Sequence, residues 1–74
     1  MASFLYYIEY TTRYEEVDAT TTYFGEAAPG SSEAAAVWRI KKLLTVGNLT
    51  SVLYANGTNN FNNAWADRAA LSYS

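Results

Sequence analysis

The sequence contains no cysteine and no histidine, and these absences exclude much chemistry. Without cysteine the chain forms no disulfide, and without either residue a soft-metal site is not expected. The missing imidazole excludes a Ser-His-Asp or Cys-His nucleophile system and a histidine base at neutral pH. Five carboxylates remain as acid–base candidates, but most lie in a polar stretch or beside a glycine, so we interpret them as solvated surface: Glu9, Glu15, Glu16, Asp18 and Glu26. We therefore expect no enzyme, cofactor or metal.

Basic residues and long apolar runs are also scarce. The chain has five Lys and Arg residues and seven Asp and Glu residues, which gives a net charge of −2 and an isoelectric point near 4.8. Nucleic-acid binders carry a basic patch or stripe, so we expect no nucleic-acid partner. No apolar run approaches the roughly 18 residues that would indicate a membrane span. The stretch 1–7 has neither the basic start nor the long apolar segment of a signal peptide, and we expect none.

What the chain does contain is apolar and aromatic. Its 74 residues are 50% hydrophobic, which predicts one globular domain over 1–74 rather than a disordered segment. A domain this small has a marginal core, and with disulfides and metals excluded, association with a partner is the remaining means of stabilisation. The 2 Trp, 7 Tyr and 3 Phe are more rings than such a core readily hides. Surface rings anchor interfaces; the alternative is that they form a dense core.

The first half of the chain predicts two strands. Aromatic and β-branched residues alternate over 4–10 and predict a strand, whereas 14–18 is polar and weakly patterned and predicts a loop. Threonines and rings over 20–24 predict the next strand, which Gly25 would end. A turn is expected at Pro29-Gly30.

The region 33–44 has two readings. Its alanines favour a helix, whereas the alternation from Val37 onward favours a strand, and we prefer one helical turn at most followed by a strand. A hairpin turn at 46–48 would then pair this strand antiparallel with 49–55. The dipeptide Asn56-Gly57 predicts a type I′ turn.

The C-terminal part predicts a helical turn over 59–65, because Phe61 and Trp65 are four residues apart and would stack on one face. A closing strand is expected over 69–73. The sum is a mainly β chain: a small antiparallel sheet or sandwich of about five short strands with one or two short helical turns.

We divide the candidate residues into two groups. Those expected in the core or in a structural role are Trp38, Ile40, Phe61, Trp65 and Asp67, although Trp and Arg are also enriched at binding hot spots. Those expected at an interface are mainly tyrosines, since both faces of the first strand cannot be core in so small a protein: Tyr6, Tyr7, Tyr10, Tyr14, Tyr54, Tyr73 and Arg68.

Other parts of the chain resemble a group of short tailed-bacteriophage proteins: 23–30, 38–41, 54–57, Phe61 and 65–73. Those proteins pair a Trp-Arg-Ile-Lys strand with a C-terminal Tyr-Ala-Asp-Gly…Phe…Trp-Asp-Asp-Arg-Ala…Tyr ending, and the likeness covers 23–73. Here Asn56 replaces the Asp before Gly, and Ala66 replaces the first Asp after Trp. The resemblance implies an accessory virion component.

The leading hypothesis is therefore a structural subunit of a bacteriophage virion, either a capsid decoration or a component attached to the tail or neck. It would act by protein–protein packing, with other virion proteins and copies of itself as partners, as a homo-oligomer. The alternative is a carbohydrate- or receptor-binding module, with rings as stacking platforms and nearby amides as hydrogen-bonding groups: Asn59, Asn60, Asn62 and Asn63.

Overall fold

The structure is a computed structural model that describes residues 9–74. Within this range the fold is mainly β, as predicted, with five antiparallel strands and one 3-10 helix over Trp65–Ala70. Four strands lie in chain order across the sheet, and the short fifth pairs with the start of the third. The strands are β1 (Thr11–Glu16), β2 (Thr21–Ala27), β3 (Ala36–Val46), β4 (Leu49–Tyr54) and β5 (Asn63–Ala64).

The long strand β3 organises the sheet. It pairs with β2 on one side and with β4 on the other, and the opposed pair Val46–Leu49 closes the β3–β4 hairpin. The preference for a strand over a helix in 33–44 is confirmed, since only a turn at 33–35 precedes β3. The turn after β4 is also as predicted: Asn56 and Gly57 have φ of 56° and 70°. A type I′ turn needs positive φ at both central residues, and Asn and Gly tolerate it best.

The core lies on one side of the sheet, here called the inner face. It is formed by six buried residues: Tyr23, Ala27, Trp38, Ile40, Ala55 and Trp65. The 3-10 helix places Trp65 over this face, where its ring centroid lies 6.0 Å from that of Trp38. Gly25 makes this approach possible, because a Cβ at that position would lie 2.5 Å from the Trp65 ring.

Two predictions for the first half of the chain are wrong. The loop expected over 14–18 is instead largely β1, and β2 runs past Gly25 to Ala27. The inner positions of β1 are polar, which hid its alternation. Arg13 and Glu15 are half-buried there, with their charged heads paired to Glu33 and Arg68 and their stems free to pack on apolar surface. The strand predicted over 4–10 lies, except for its last two residues, outside the described range.

The C-terminal predictions also need correction. The helical turn expected over 59–65 does not form there; the helix starts at Trp65, and the closing strand over 69–73 reduces to one bridge between Tyr73 and Ala55. Phe61 and Trp65 therefore do not share a face. Phe61 is 38% exposed and is not a core residue, because the segment before β5 lies against the other side of the sheet beside Tyr10.

Candidate interaction surface

The side of the sheet opposite the core, here called the outer face, carries one continuous row of large side chains. Strand register places Tyr14 opposite Phe24, Phe24 opposite Lys41, and Lys41 opposite Tyr54. These four residues, the outer row, thus cross all four main strands at one level. Directly opposed side chains are the closest neighbours on a sheet face, so the register alone brings them into contact.

The outer row is held together by ring and cation contacts. The rings of Tyr14 and Phe24 meet edge to face at 6.4 Å between centroids and 85° between planes. The Nζ atom of Lys41 lies 5.7 Å from the Phe24 ring centroid and 5.8 Å from that of Tyr54. Both geometries are favourable, because ring edges and cations are attracted to the electron-rich face of an aromatic ring.

A second cation, Arg39, is held beside the outer row by Glu26, its partner across strands β2 and β3. Arg39 donates two hydrogen bonds to Oε1 of Glu26, from Nη2 at 2.7 Å and from Nε at 3.1 Å. Its guanidinium lies 4.7 Å from the Phe61 ring centroid and 5.8 Å from that of Tyr10. Lys41 approaches the same Glu26 oxygen at 4.0 Å, so two cations share one carboxylate. The centre of the outer face therefore carries a small positive excess on a chain that is negative as a whole.

A shallow apolar groove adjoins Arg39. It has a volume of about 470 Å³ and is lined by Tyr10, Ala28, Ser31, Val37 and Phe61. With the outer row, it makes the outer face a largely aromatic surface. This surface is accessible at Tyr14, which is 60% exposed. On the inner face, by contrast, Trp65 covers the sheet beneath the 3-10 helix.

Arg68, an interface candidate from sequence, is used within the fold. Its Nε donates to Oε1 of Glu15 at 2.7 Å, its Nη1 donates to the Trp65 carbonyl at 3.1 Å, and its guanidinium lies 4.6 Å from the Trp65 ring centroid. The hydrogen bond from Arg68 lowers the pKa of Glu15, and the same bond raises the pKa of Arg68. Arg68 therefore links the 3-10 helix to β1 within the fold, and its role at an interface stays a prediction.

Tyr73, the second such candidate, also belongs to the inner face. Its hydroxyl donates to the Arg68 carbonyl at 2.8 Å, and its ring packs 5.7 Å from that of Tyr23. Burial and the neighbouring Tyr23 raise the pKa of Tyr73 to about 12, although the Arg68 charge acts to lower it. Tyr73 is therefore part of the core packing rather than a free interface residue.

The raised pKa of Tyr73 predicts a loss of stability at high pH. The unfolded chain ionises Tyr73 near its ordinary value of 10.0, whereas the folded chain keeps the proton up to about 12. Between these two pH values the folded chain therefore binds more protons than the unfolded chain. The contribution of Tyr73 to the free energy of unfolding is complete below pH 10 and is lost as the pH rises to about 12. Thermal unfolding across this range measures it. Tyr73→Phe should show a shallower decline than the parent, while Tyr14→Phe, altered at an exposed tyrosine, should decline as the parent does.

The remaining candidates divide by position. Tyr10 and Tyr14 are exposed on the outer face, Tyr54 is half-buried in the outer row, and Tyr6 and Tyr7 lie outside the described residues. Trp38, Ile40 and Trp65 lie in the core, whereas Asp67 is exposed in the first turn of the 3-10 helix. Within residues 9–74 the Asp67 side chain makes no ion pair.

The sequence predicted that Arg39 and Lys41 lie on the solvent side of a strand, but it did not single out Phe24, Lys41 or Arg39 as interface residues. The strand register could have revealed them, because pairing 20–24 with 37–44 around the Pro29-Gly30 turn places Phe24 beside Lys41. That pairing requires knowing where each strand ends, which the sequence did not give. Phe24 was assigned only to a strand.

Other kinds of site find no support in the described part of the chain. Among residues 9–74 no three acidic side chains come close enough together to hold a metal ion. The only helix in this range is far too short to cross a bilayer. Comparison of the chain with known protein families, with curated proteins and with solved structures finds no match.

Proposed function

We propose that this chain is an accessory structural subunit of a bacteriophage virion, either a capsid decoration or a component attached to the tail or neck. It acts without catalysis, by packing against other virion proteins and copies of itself. The observation that carries the proposal is the outer row Tyr14–Phe24–Lys41–Tyr54, a row of large side chains across the sheet in which Tyr14 is 60% exposed. The sequence likeness over 23–73 supplies the virion context.

The outer row suits an interface for a physical reason. Tyrosine and phenylalanine bury a large area with few rotatable bonds, so they lose little conformational entropy on binding. The edge-to-face contact and the Lys41 contacts already restrain these rings in the free chain. Lys41 at the centre supplies a cation that a partner carboxylate would neutralise, which gives specificity as well as contact area.

Binding to particles tests this proposal. Particles assembled without the chain are mixed with purified protein, and bound protein is measured after sedimentation. We expect Tyr14→Ala to weaken binding by about 30-fold, the effect of losing a hot spot of about 2 kcal/mol. Thr12→Ala is the matched control, since Thr12 lies on the same strand and face and is also exposed. Parent protein that does not bind, or equal losses in both variants, would contradict the proposal.

A second candidate is the carbohydrate-binding module, favoured by one observation. Tyr54 lines an open depression of about 440 Å³ together with Gly57, Thr58 and Asn59, which combines a ring with an amide as sugar sites do. Asn63, also expected there, is instead buried, and its Oδ1 accepts a hydrogen bond from Nδ2 of Asn56 at 2.8 Å. A glycan array that stays blank for the parent protein would remove this candidate.

A further inference from the structure

One edge of the sheet is open in the described part of the chain. Within residues 9–74, strand β1 pairs with β2 alone, so its other side carries backbone N–H and C=O groups without a strand partner. The opposite edge is partly filled, because Tyr54 of β4 and Ser74 exchange two backbone hydrogen bonds, at 2.9 and 3.1 Å. An open edge is a template for pairing with a further strand.

The strand register shows which backbone groups of β1 face the open edge. The Val17 amide donates to the carbonyl of Thr21, its partner across the β1–β2 turn, at 2.9 Å. Hydrogen-bonded positions recur at every second residue of an antiparallel pair. The alternate residues of β1 therefore direct their N–H and C=O groups to the open edge and their side chains to the outer face: Thr12, Tyr14 and Glu16.

On the inner face, β1 carries opposite charges on either side of Tyr14. Nε of Arg13 donates to Oε2 of Glu33 at 2.9 Å. Nε of Arg68 donates to Oε1 of Glu15 at 2.7 Å. The Arg13 and Glu15 side chains are still 39% and 43% exposed, and among the described residues no hydrogen bond reaches Nη2 of Arg13 or Oε2 of Glu15. Each charge therefore keeps one atom for a further partner.

We propose that a second copy of this chain pairs with the open edge, β1 against β1, antiparallel about a two-fold axis at Tyr14. An axis perpendicular to the sheet makes the contact self-complementary and joins the two copies into one continuous sheet. Tyr14 then faces Tyr14 of the second copy, and Thr12 faces Glu16, so their outward backbone groups bond to each other. The Thr12 carbonyl exchanges its 3.3 Å contact with Nη1 of Arg13 for an amide of the second copy.

The charges on β1 select this register over its neighbours. With the axis at Tyr14, Arg13 of each copy lies opposite Glu15 of the other, which forms two attractive pairs. A shift of two residues keeps the faces but places either Arg13 opposite Arg13 or Glu15 opposite Glu15, and directly opposed like charges are destabilising. Charged inward side chains commonly protect an edge from pairing. Here their order instead makes the edge complementary to itself, whereas a foreign strand would need the same two charges in reverse order.

The pairing bears directly on the outer row. It joins the outer rows of the two copies end to end at Tyr14, so that one largely aromatic row crosses the whole continuous sheet. The pairing thereby deepens the proposed function, and rests on it for its setting, by naming a copy of the chain as one partner of the assembly. A particle would meet two outer rows at once.

The oligomeric state of the full chain tests this inference without any particle. Sedimentation over a concentration series should show a dimer for the parent protein. Thr12→Pro should weaken dimerisation by at least about 100-fold, because proline removes an N–H from the pairing edge of each copy. Edge strands tolerate proline where the N–H faces solvent, so this variant should fold. Thr12→Ala is the matched control: it keeps the N–H and should dimerise as the parent does.

Two charge variants test the register. Arg13→Glu gives each copy two acidic side chains at these positions, and Glu15→Lys gives each copy two basic ones. Each variant alone should dimerise about 10-fold more weakly than the parent, because every opposed pair is then of like charge. An equal mixture of the two should restore the dimer, because every opposed pair is then of opposite charge. Mixing does not repair damage within one chain, such as loss of the Glu33 or Arg68 contact.

Three results would overturn the inference. They are a parent chain that stays monomeric at every concentration, equal dimerisation of Thr12→Pro and Thr12→Ala, and a mixture that dimerises no better than either charge variant alone. Circular dichroism of each variant verifies that it is folded. Either proposal can fail alone, since dimerisation is measured in solution with the outer row unchanged, and the proposed function by binding of Tyr14→Ala to particles.

Discussion

Replacing Trp38 with alanine is expected to remove a large part of the stability of the fold. Trp38 is fully buried, packs against Trp65, and its Nε1 donates to the Ser32 carbonyl at 2.9 Å. Loss of a buried tryptophan costs about 3–5 kcal/mol, because the neighbours cannot fill the space. A chain of this length has a total stability of about 4–11 kcal/mol, so the change removes much or all of it. Urea denaturation followed by circular dichroism measures the loss.

Trp38→Phe separates packing from hydrogen bonding. The phenyl ring keeps part of the contact with Trp65 but has no N–H, so the Ser32 carbonyl loses one of its two donors and keeps the Ala35 amide at 3.1 Å. We expect this variant to be folded and to lie between parent and Trp38→Ala, with a hydrogen-bond share of about 1 kcal/mol. A Trp38→Ala protein with the urea midpoint of the parent would refute the placement of Trp38 at the centre of the core.

Gly25→Ala is the second large effect expected. Ordinarily alanine stabilises a strand relative to glycine, by about 0.5–1 kcal/mol. Here the new Cβ would lie 2.5 Å and 2.7 Å from two atoms of the Trp65 ring, and 3.3 Å from the Trp38 ring. Trp65 cannot easily retreat, because Arg68 lies over its ring on one side and Trp38 packs beside it. We expect a loss of about 3 kcal/mol, measured by urea denaturation, from this overpacking.

A smaller side chain at position 65 should relieve the clash. Trp65→Leu is destabilising by itself, because it empties part of the core. Combined with Gly25→Ala, it should cost at least about 1 kcal/mol less than the sum of the two single changes, which is the signature of direct contact. Strict additivity would show that the two residues do not meet as described.

Several elements could be predicted from sequence because local chemistry fixes them. The alternation from Val37 to Leu44 identified most of β3 in spite of three preceding alanines, and Asn56-Gly57 identified its turn because few other dipeptides accept positive φ twice. The pairing around Gly47 followed from the short distance between two alternating segments. These features depend on neighbours along the chain, where side-chain period and backbone preference are directly readable.

Other elements could not be read because distant residues create them. β1 is a strand although it is polar, since its half-buried Arg13 and Glu15 find partners 20 and 53 residues away. The 3-10 helix at Trp65–Ala70 lies where the sequence suggested a turn into a strand, and its first residue, Trp65, packs against the distant Gly25. Neither partnership leaves a periodic trace in the sequence.

The sequence alone determined that the chain carries no cysteine or histidine chemistry, that it is mainly β, and that its rings outnumber what a small core holds. Only the tertiary structure decided which rings those are. Strand register sends Trp38 and Tyr23 to the inner face and Tyr14, Phe24 and Tyr54 to the outer face. A shift of one residue would exchange the faces, and the register present in the fold is one that puts Gly25 against the Trp65 ring.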